Sequence, residues 1–398
     1  MSKPRILFVD DEPQILDGLR TLLRKQRSIW DMVFAVSGAA GLEALSAARF
    51  DVVVSDMRMP TMNGEQFLLE VKKRQPHVAR FVLTGETEPT LAIRSVSVVH
   101  QVLAKPCDPV ALQSIVERAC ALTSLVADDQ VRAALGGVSQ LPSLPAVCRE
   151  LDAALAEDAC TDRLARIIER DIALSTKLLQ IINSAFFGLP RQVHGVRRAV
   201  VTLGTGILRA LAMSVHLVSE FRAAESAGLS LVDLQARAIV VGRLAQRLCH
   251  GELAERAFTA GLLHDVGKLI LATHLGEQWR VATTEARLTG ADPLEIERRV
   301  FGVCHAEVGG YLLGLWGLPV SIVEAVAHHH APQRVAREGF RVVDAVHLAD
   351  LLAGAAVGGA LGHDAVADAG ARHLAAIGAS EHEADWTGLV QAHREGRA

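Results

Sequence analysis

The chain has no surplus of positive charge. Its 41 lysines and arginines face 45 aspartates and glutamates, for a formal net charge of -4, whereas a nucleic-acid binder carries a basic excess to meet phosphates. With no recognisable DNA-reading helix either, that balance argues against nucleic acid as a partner and against a transcription factor. Cysteine pairing is also missing. The six cysteines (Cys107, Cys120, Cys148, Cys160, Cys249 and Cys304) form no Cys-x-x-Cys spacing and sit in apolar segments, so they read as reduced thiols of a cytosol, not a disulfide frame. No signal peptide precedes the first strand pattern, which follows directly on Met1-Ser-Lys-Pro-Arg5. The longest apolar run, near 351–362, is Ala/Gly-rich and too short to span a bilayer. The expectation is a soluble cytoplasmic protein without membrane insertion. No internal repeat is evident, and 398 residues exceed one ordinary unit.

What is present divides in two. Residues 1–122 alternate amphipathic stretches with short β-branched runs at Ile6–Val9, Val33–Val36, Val52–Val54, Phe81–Leu83 and Gln101–Leu103. Such alternation predicts an α/β doubly wound domain, a five-stranded parallel sheet with helices on both faces. From 108 the pattern turns helical: Leu112, Ile115, Ala119, Leu122 and Val126 recur three and four apart, a short heptad run. Residues 108–139 therefore read as a terminal helix and linker, with the polar, Gly-containing stretch Asp128–Gln140 as the junction. Leu141-Pro-Ser-Leu-Pro145 opens an all-α unit, 140–340, and 341–398 reads as a C-terminal helical extension.

Ligands of open α/β sheets bind beyond the carboxyl ends of the strands. Those ends hold Asp10 and Asp11, Asp56, Thr84, and Lys105 before Pro106. Three converging carboxylates repel one another unless a cation sits among them, and Mg²⁺ suits so few carboxylates because it keeps waters alongside them. One carboxylate can then attack a phosphoryl donor, with Lys105 and Thr84 meeting the phosphoryl oxygens. Singly, each residue has a plainer reading: the Asp pair before Pro13 favours a helix start, Thr84 is a turn residue, Lys105-Pro106 a loop. All five in this order at successive strand ends outweigh those readings.

Over residues 1–122 the chain resembles the receiver domain of two-component response regulators, which is flavodoxin-like. The segments that carry the resemblance are Ile6-Leu-Phe-Val-Asp10-Asp11-Glu12, Ser55-Asp56-Met-Arg-Met-Pro60, Asn63-Gly64, Leu83-Thr84-Gly85 and Leu103-Ala-Lys105-Pro106. The resemblance implies that Asp56 accepts phosphate from a cognate histidine kinase, that Asp10, Asp11 and Asp56 hold Mg²⁺, and that Thr84 and Lys105 report the phosphoryl group. One position departs: where such domains carry a Tyr or Phe as a rotating switch, three residues before the lysine, this chain has Val102.

The second half holds His264-Asp265 on a helix expected to end near Gly267, His305 at the start of another, His328-His329-His330 closing a third before Pro332, and Asp350 on a fourth. Helices projecting such groups inward can build a divalent-metal site. Helix-end histidines also commonly bond terminal carbonyls, and a His-Asp pair can satisfy itself in a core. From roughly 132 to 340 the chain resembles the HDOD family, a relative of HD and HD-GYP phosphohydrolases. The motifs are Leu141-Pro-Ser-Leu-Pro145, Arg170-Asp171-Ile-Ala-Leu-Ser175, Leu179-Gln-Ile-Ile-Asn183-Ser-Ala-Phe-Phe187-Gly, Ala199-Val-Val-Thr-Leu-Gly204, Leu262-Leu-His264-Asp265-Val-Gly-Lys268 and Gly314-Leu-Trp316-Gly-Leu-Pro319. HD enzymes carry an earlier histidine where Leu234-Gln-Ala-Arg237-Ala places Arg237. A guanidinium has no lone pair to offer, so this substitution opposes a metal at the degenerate set Arg237, His264, Asp265, His305, His329, His330 and Asp350. The expectation is a non-catalytic output domain that binds signalling proteins, and the apolar spacing of the 108–126 helix makes it a candidate link that packs on the helical unit or a homodimer seam. The rival is a phosphorylation-gated, metal-dependent phosphohydrolase at the same residues.

Overall fold

The computed structural model describes residues 3–85, 98–123, 125–126, 128–138, 141–184, 189, 191–214, 223–335, 339–356 and 362–395, without the side chains of 209–210, 212–214 and 356. The Ala-Phe-Phe187-Gly end of one motif, linker residues 139–140, and 357–361 of the longest apolar run lie outside them. Strands β1 (Arg5–Val9), β2 (Asp31–Ala35), β3 (Val52–Asp56), β4 (Ala79–Thr84) and β5 (Gln101–Ala104) form one parallel sheet in the order β2-β1-β3-β4-β5. Every residue of β3 and β4 is buried, as a parallel strand covered on both faces requires. β2 starts two residues before its apolar run and stops before Val36, because Asp31 pairs opposite Arg5 and the two side chains meet at 2.6 Å.

Helices α1 (Pro13–Leu22), α2 (Gly38–Ala47), α3 (Gly64–Arg74) and α4 (Pro109–Leu122) flank the sheet. Asn63 caps α3 in a reciprocal capping box with Gln66. Only glycine fits at 64, since a Cβ there would stand 2.1 Å from the Asp56 carbonyl oxygen. The junction is not a loop: α5 spans Asp129–Gly137, capped by Asp128, with Val131 and Leu135 buried. Its polar and glycine-rich composition hid two apolar residues at helical spacing.

The second unit is helical throughout its described residues: α6 (Pro145–Ala156), α7 (Thr161–Ile168), α8 (Ile172–Ile182), α9 (Val196–Ser214), α10 (Leu231–Arg247), α11 (Gly251–Leu263), α12 (Val266–His274), α13 (Gly276–Thr289), α14 (Pro293–Phe301), α15 (His305–Leu315), α16 (Val320–His328), α17 (Val342–Ala356), α18 (His363–Ala376) and α19 (Glu383–Arg394). Two polar motif residues turn out to be structural. Asp171 caps α8 by accepting from the Leu174 amide, and its other oxygen accepts from the Leu144 amide at 2.9 Å. Asn183 closes the end of α8 through Val193. Beyond residue 340, α17 packs on α10 and α11 and carries Asp350 into their core.

β5 is the sheet edge, and an uncovered edge leaves carbonyls and amides unpaired. Here the helical unit covers it. Ser184 Oγ donates to the Val102 carbonyl at 2.7 Å, Gln180 Nε2 to the His100 carbonyl at 3.2 Å, and Gln101 Nε2 to the Leu315 carbonyl at 2.8 Å. Arg80, buried in β4, reaches the other way and donates to the Gly136 carbonyl of α5 at 2.6 Å. On α4, Leu112, Ile115, Ala119 and Leu122 are buried, and Leu122 lies against Gly314 of α15. Part of the face that spacing offered to the helical unit or to a second chain thus packs on α15.

Lys177 shares the Gln180 and Ser184 stripe of α8 by helical spacing. Burial pushes its ammonium down from 10.5 to about 7. Between those values the folded chain binds fewer protons here than the unfolded chain, so stability rises with pH across the window and falls back toward pH 7. Lys177→Met is expected to flatten that slope, which is at most ~1.4 kcal/mol per pH unit, and to raise the melting temperature near neutrality. Thermal unfolding of both proteins at neutral and mildly alkaline pH checks this; parallel curves would refute it.

Candidate functional sites in the two domains

The strand order reverses between β1 and β3, and the crevice at such a switch point is where α/β sheets bind ligands. Asp10 follows β1 and Asp56 ends β3, so their carboxylates enter that crevice from adjacent strands, both buried. Lys105, just past β5, bridges them, with Nζ 2.9 Å from Asp10 Oδ2 and also paired with Asp56 Oδ1. The other Asp56 oxygen accepts from the Arg58 amide at 2.9 Å, and Asp10 Oδ1 from the Glu12 amide at 3.0 Å. Burial by itself would lower the Lys105 pKa, but hydrogen bonds and attraction from Asp56 and Asp10 outweigh it and hold it above the ordinary value. Asp11 is half-buried at the rim. Thr84 is buried at the end of β4, and its carbonyl accepts from the Lys105 amide at 2.7 Å. Asp10, Asp56 and Lys105 therefore meet in one crevice, with Thr84 at the end of the adjoining strand and Asp11 next to Asp10 in the chain. Two buried carboxylates sharing one lysine, with a third beside them, are a donor set that fits a hard divalent cation.

The second cluster lies where α11, α12, α14, α15, α16 and α17 converge. His264 and Asp265 stand in the joint between α11 and α12, not on a helix running to Gly267. The chain restarts as α12 with Gly267 against α15, where a Cβ would stand 1.8 Å from the His305 carbonyl oxygen. His264 Nδ1 bonds the Gly261 carbonyl at 2.7 Å, turning Nε2 inward to 3.3 Å from both Asp265 Oδ2 and Asp350 Oδ1. His305 Nε2 faces Asp265 Oδ1 at 3.2 Å, and its Nδ1 meets Glu297 at 2.7 Å. His330 Nε2 lies 3.1 Å from His305 Nε2, and His329 Nδ1 bonds the Val326 carbonyl at 2.8 Å. His328 ends α16 outside this set.

Arg237, which shares a helical face with Val241, Leu244 and Leu248, points inward. Its guanidinium holds Asp350 Oδ1 at 2.7 Å and stands 3.8 Å from Asp265 Oδ2. A second cation, Lys268, to which motif spacing gave no role, holds Asp265 Oδ2 at 2.7 Å. Burial alone would raise both aspartates. For Asp265, His264 and Lys268 outweigh it, and for Asp350, His264, His329 and Arg237 do, so both stay well below the carboxylate range. Burial disfavours an imidazolium at His264, yet Asp265 and Asp350 raise its pKa well above the usual value. His329 and His330 go the other way, lowered by burial and by neighbouring histidines, and keep open lone pairs. His264 Nε2, Asp265 Oδ1 and His329 Nε2 are closed off from solvent without a well-aligned hydrogen bond, and ligand atoms of these three residues lie within 4.8 Å of one another. That triple can hold one metal ion once His264 gives up its second proton, while Arg237 and Lys268 already neutralise the carboxylates. Glu297, which sequence spacing gave no reason to select, fixes the His305 ring.

Known proteins divide the chain along the same line. Residues 6–117 match the response regulator receiver domain family and residues 141–332 the HDOD domain family. An uncharacterized protein of Treponema pallidum is 26% identical over 198 residues, 48% of this chain and 38% of that protein. The transcriptional regulatory protein GlrR of Escherichia coli is 34% identical over 131 residues, 33% of this chain and 29% of that protein. The chain thus spans well under half of either relative. Among solved structures, the MmoQ response regulator of Methylococcus capsulatus aligns with a TM-score of 0.50 at 23% identity, over 63% of this chain and 98% of that one. A virulence factor of Campylobacter jejuni aligns at 0.56 and 19% identity, over 68% and 97%. At those identities the structures show the fold alone. No described helix is long and apolar enough to cross a membrane. A receiver domain followed by an HDOD domain places this chain among the two-component response regulators.

Proposed function

We propose that Asp56 is the phosphoacceptor and that its modification is read by the HDOD domain through strand β5. The observation that carries this is Lys105, which bridges Asp10 and Asp56 and lies directly after β5, whose Val102 carbonyl Ser184 of the output domain holds. A carboxylate oxygen of Asp56 attacks the donor phosphorus, a P–O bond forms, and the bond to the donor's leaving group breaks. Asp10, Asp11 and Asp56 would hold Mg²⁺, which offsets the charge brought together there. Lys105 and Thr84 then turn to the new phosphoryl oxygens, which adds roughly -1.5 to -2 charges. A histidine kinase is the natural donor, and the output is binding of signalling proteins in the cytoplasm.

The size of the switch follows from the contacts. The three hydrogen bonds onto β5 and Leu315 contribute about 1 kcal/mol each. Complete inversion of a two-state equilibrium takes about 5.5 kcal/mol, so a partial release is expected. Beryllofluoride with Mg²⁺, a phosphoryl mimic, should speed amide exchange in 172–182 and in β5, and Ser184→Ala should reproduce part of that change unmodified. Unchanged exchange in both segments would refute the route through β5.

The metal-dependent phosphohydrolase stays as a second reading because of the three solvent-closed donor atoms of His264, Asp265 and His329. It needs a metal that competes with Arg237 and Lys268 for the same carboxylates.

A further inference from the structure

A cleft of about 490 Å³ separates the two domains beside the Lys105-Pro106 segment. Ala104, Pro106, Ser114 and Arg118 line its receiver side, Asn183 and Arg191 its helical side. Small-molecule sites have volumes of this order and favour domain interfaces. Several of its polar groups are committed. The Asn183 amide is held by Leu179 and Val193, the Ser184 hydroxyl by Val102, and the Gln101 amide by Leu315. The one carboxylate in the lining, Asp108, caps α4 by accepting from the Val110 amide at 3.1 Å.

The two guanidiniums are different. Neither Arg118 nor Arg191 makes a hydrogen bond or ion pair with a described residue. An exposed arginine without an acid, such as Arg191 at the mouth, is ordinary. Arg118 is drawn partly inside, where burial lowers its pKa, and a desolvated cation gains most from an anion. Guanidinium donors match phosphate oxygens in a forked geometry. Inorganic phosphate alone would leave much of the space empty, and Pro106, Ile115 and Ile182 offer apolar wall to an organic portion.

We propose that this cleft binds a phosphorylated small molecule of nucleotide size, with its phosphate on Arg118 and Arg191 and its organic part against Pro106, Ile115 and Ile182. Because the ligand would touch both domains, it stabilises their docked arrangement by mass action. Binding is tested on the unmodified chain and does not require Asp56 to be the phosphoacceptor.

Calorimetric titration of the full chain with AMP, ATP, adenosine and inorganic phosphate tests the site. Saturable binding is expected for the nucleotides and none for adenosine, with inorganic phosphate weaker than either nucleotide. Arg118→Met should weaken nucleotide binding by about tenfold or more, and Arg118→Lys should retain part of it. Acetyl-phosphate labelling of Asp56 should be unchanged in Arg118→Met, which shows that the variant is folded; if it is not, Arg118→Lys and Arg191→Gln decide. No saturation by millimolar nucleotide, or undiminished affinity in the arginine variants, would overturn the site. Equal affinity for phosphate and nucleotide would overturn the organic subsite and leave an adventitious ion only.

Discussion

Acetyl phosphate with Mg²⁺ is expected to label the wild-type chain and to leave Asp56→Asn at background. Asp56 is the carboxylate that both ends β3 in the crevice and contacts Lys105, with its second oxygen on the Arg58 amide. Asp10 contacts the same lysine but is more deeply enclosed, and its other oxygen is fixed by Glu12. Excess chelator should abolish labelling as completely as the substitution, because Asp10 and Asp11 otherwise repel the incoming phosphoryl group. Lys105→Ala supplies an independent check without any donor. Stripping the partner from a buried charge typically costs 3–5 kcal/mol, and since Lys105 is itself partly exposed, about 2–3 kcal/mol is the better expectation. Mg²⁺ should then raise the melting temperature of Lys105→Ala more than that of wild type, since the ion replaces the missing charge. Undiminished label on Asp56→Asn, or equal Mg²⁺ shifts, would remove Asp56 and its neighbours from their roles.

The receiver crevice was legible because its residues sit in short contiguous motifs at strand ends, and a parallel sheet brings successive strand ends together. The histidine and aspartate set was legible by type, and Arg237 by helical face. The break between α11 and α12 was not, since His264 and Asp265 read as part of one helix ending near Gly267, whereas the chain restarts at Val266 with Gly267 packed on His305. Lys268 was in plain view but silent, because its partner Asp265 lies one turn before it and the pair resembles an ordinary surface i,i+3 pair. Contacts between the domains left no trace at all. Gln101, Gln180 and Ser184 are polar residues whose partners are backbone carbonyls of segments remote in sequence, and a carbonyl carries no side-chain signature. The heptad-like stripe on α4 offered two partners, the helical unit or a second chain, and spacing alone could not say that Leu122 would meet α15.

Arg237→His is expected to change metal content more than any other single substitution. In wild type a divalent ion at the His264, Asp265 and His329 atoms would lie near a guanidinium, and a +2 and a +1 charge ~5 Å apart repel by ~7 kcal/mol at an effective dielectric constant of ~20. The arginine also withdraws a ligand, because Asp350 Oδ1 is engaged with it at 2.7 Å. Histidine removes the charge, frees Asp350 and adds an imidazole nitrogen, so the carboxylates lose one cation and gain the need for another. Purified Arg237→His should therefore carry about one Mn, Fe or Zn per chain or more, against a small fraction in wild type. Arg237→Met separates the two effects: it frees Asp350 without supplying a ligand, and should recover only part of the metal. Both variants should lose stability in chelator, where Asp265 and Asp350 face His264 with one cation fewer, and the histidine variant should regain it on adding metal. If wild type already holds stoichiometric metal, with turnover of a phosphodiester that Asp265→Ala abolishes, the guanidinium is not the obstacle and the HDOD domain of this chain is an enzyme. If neither variant takes up metal, the joint at His264 and Asp265 is a packed ion network, and Lys268, which Arg237→His leaves in place, is the group that keeps metal out.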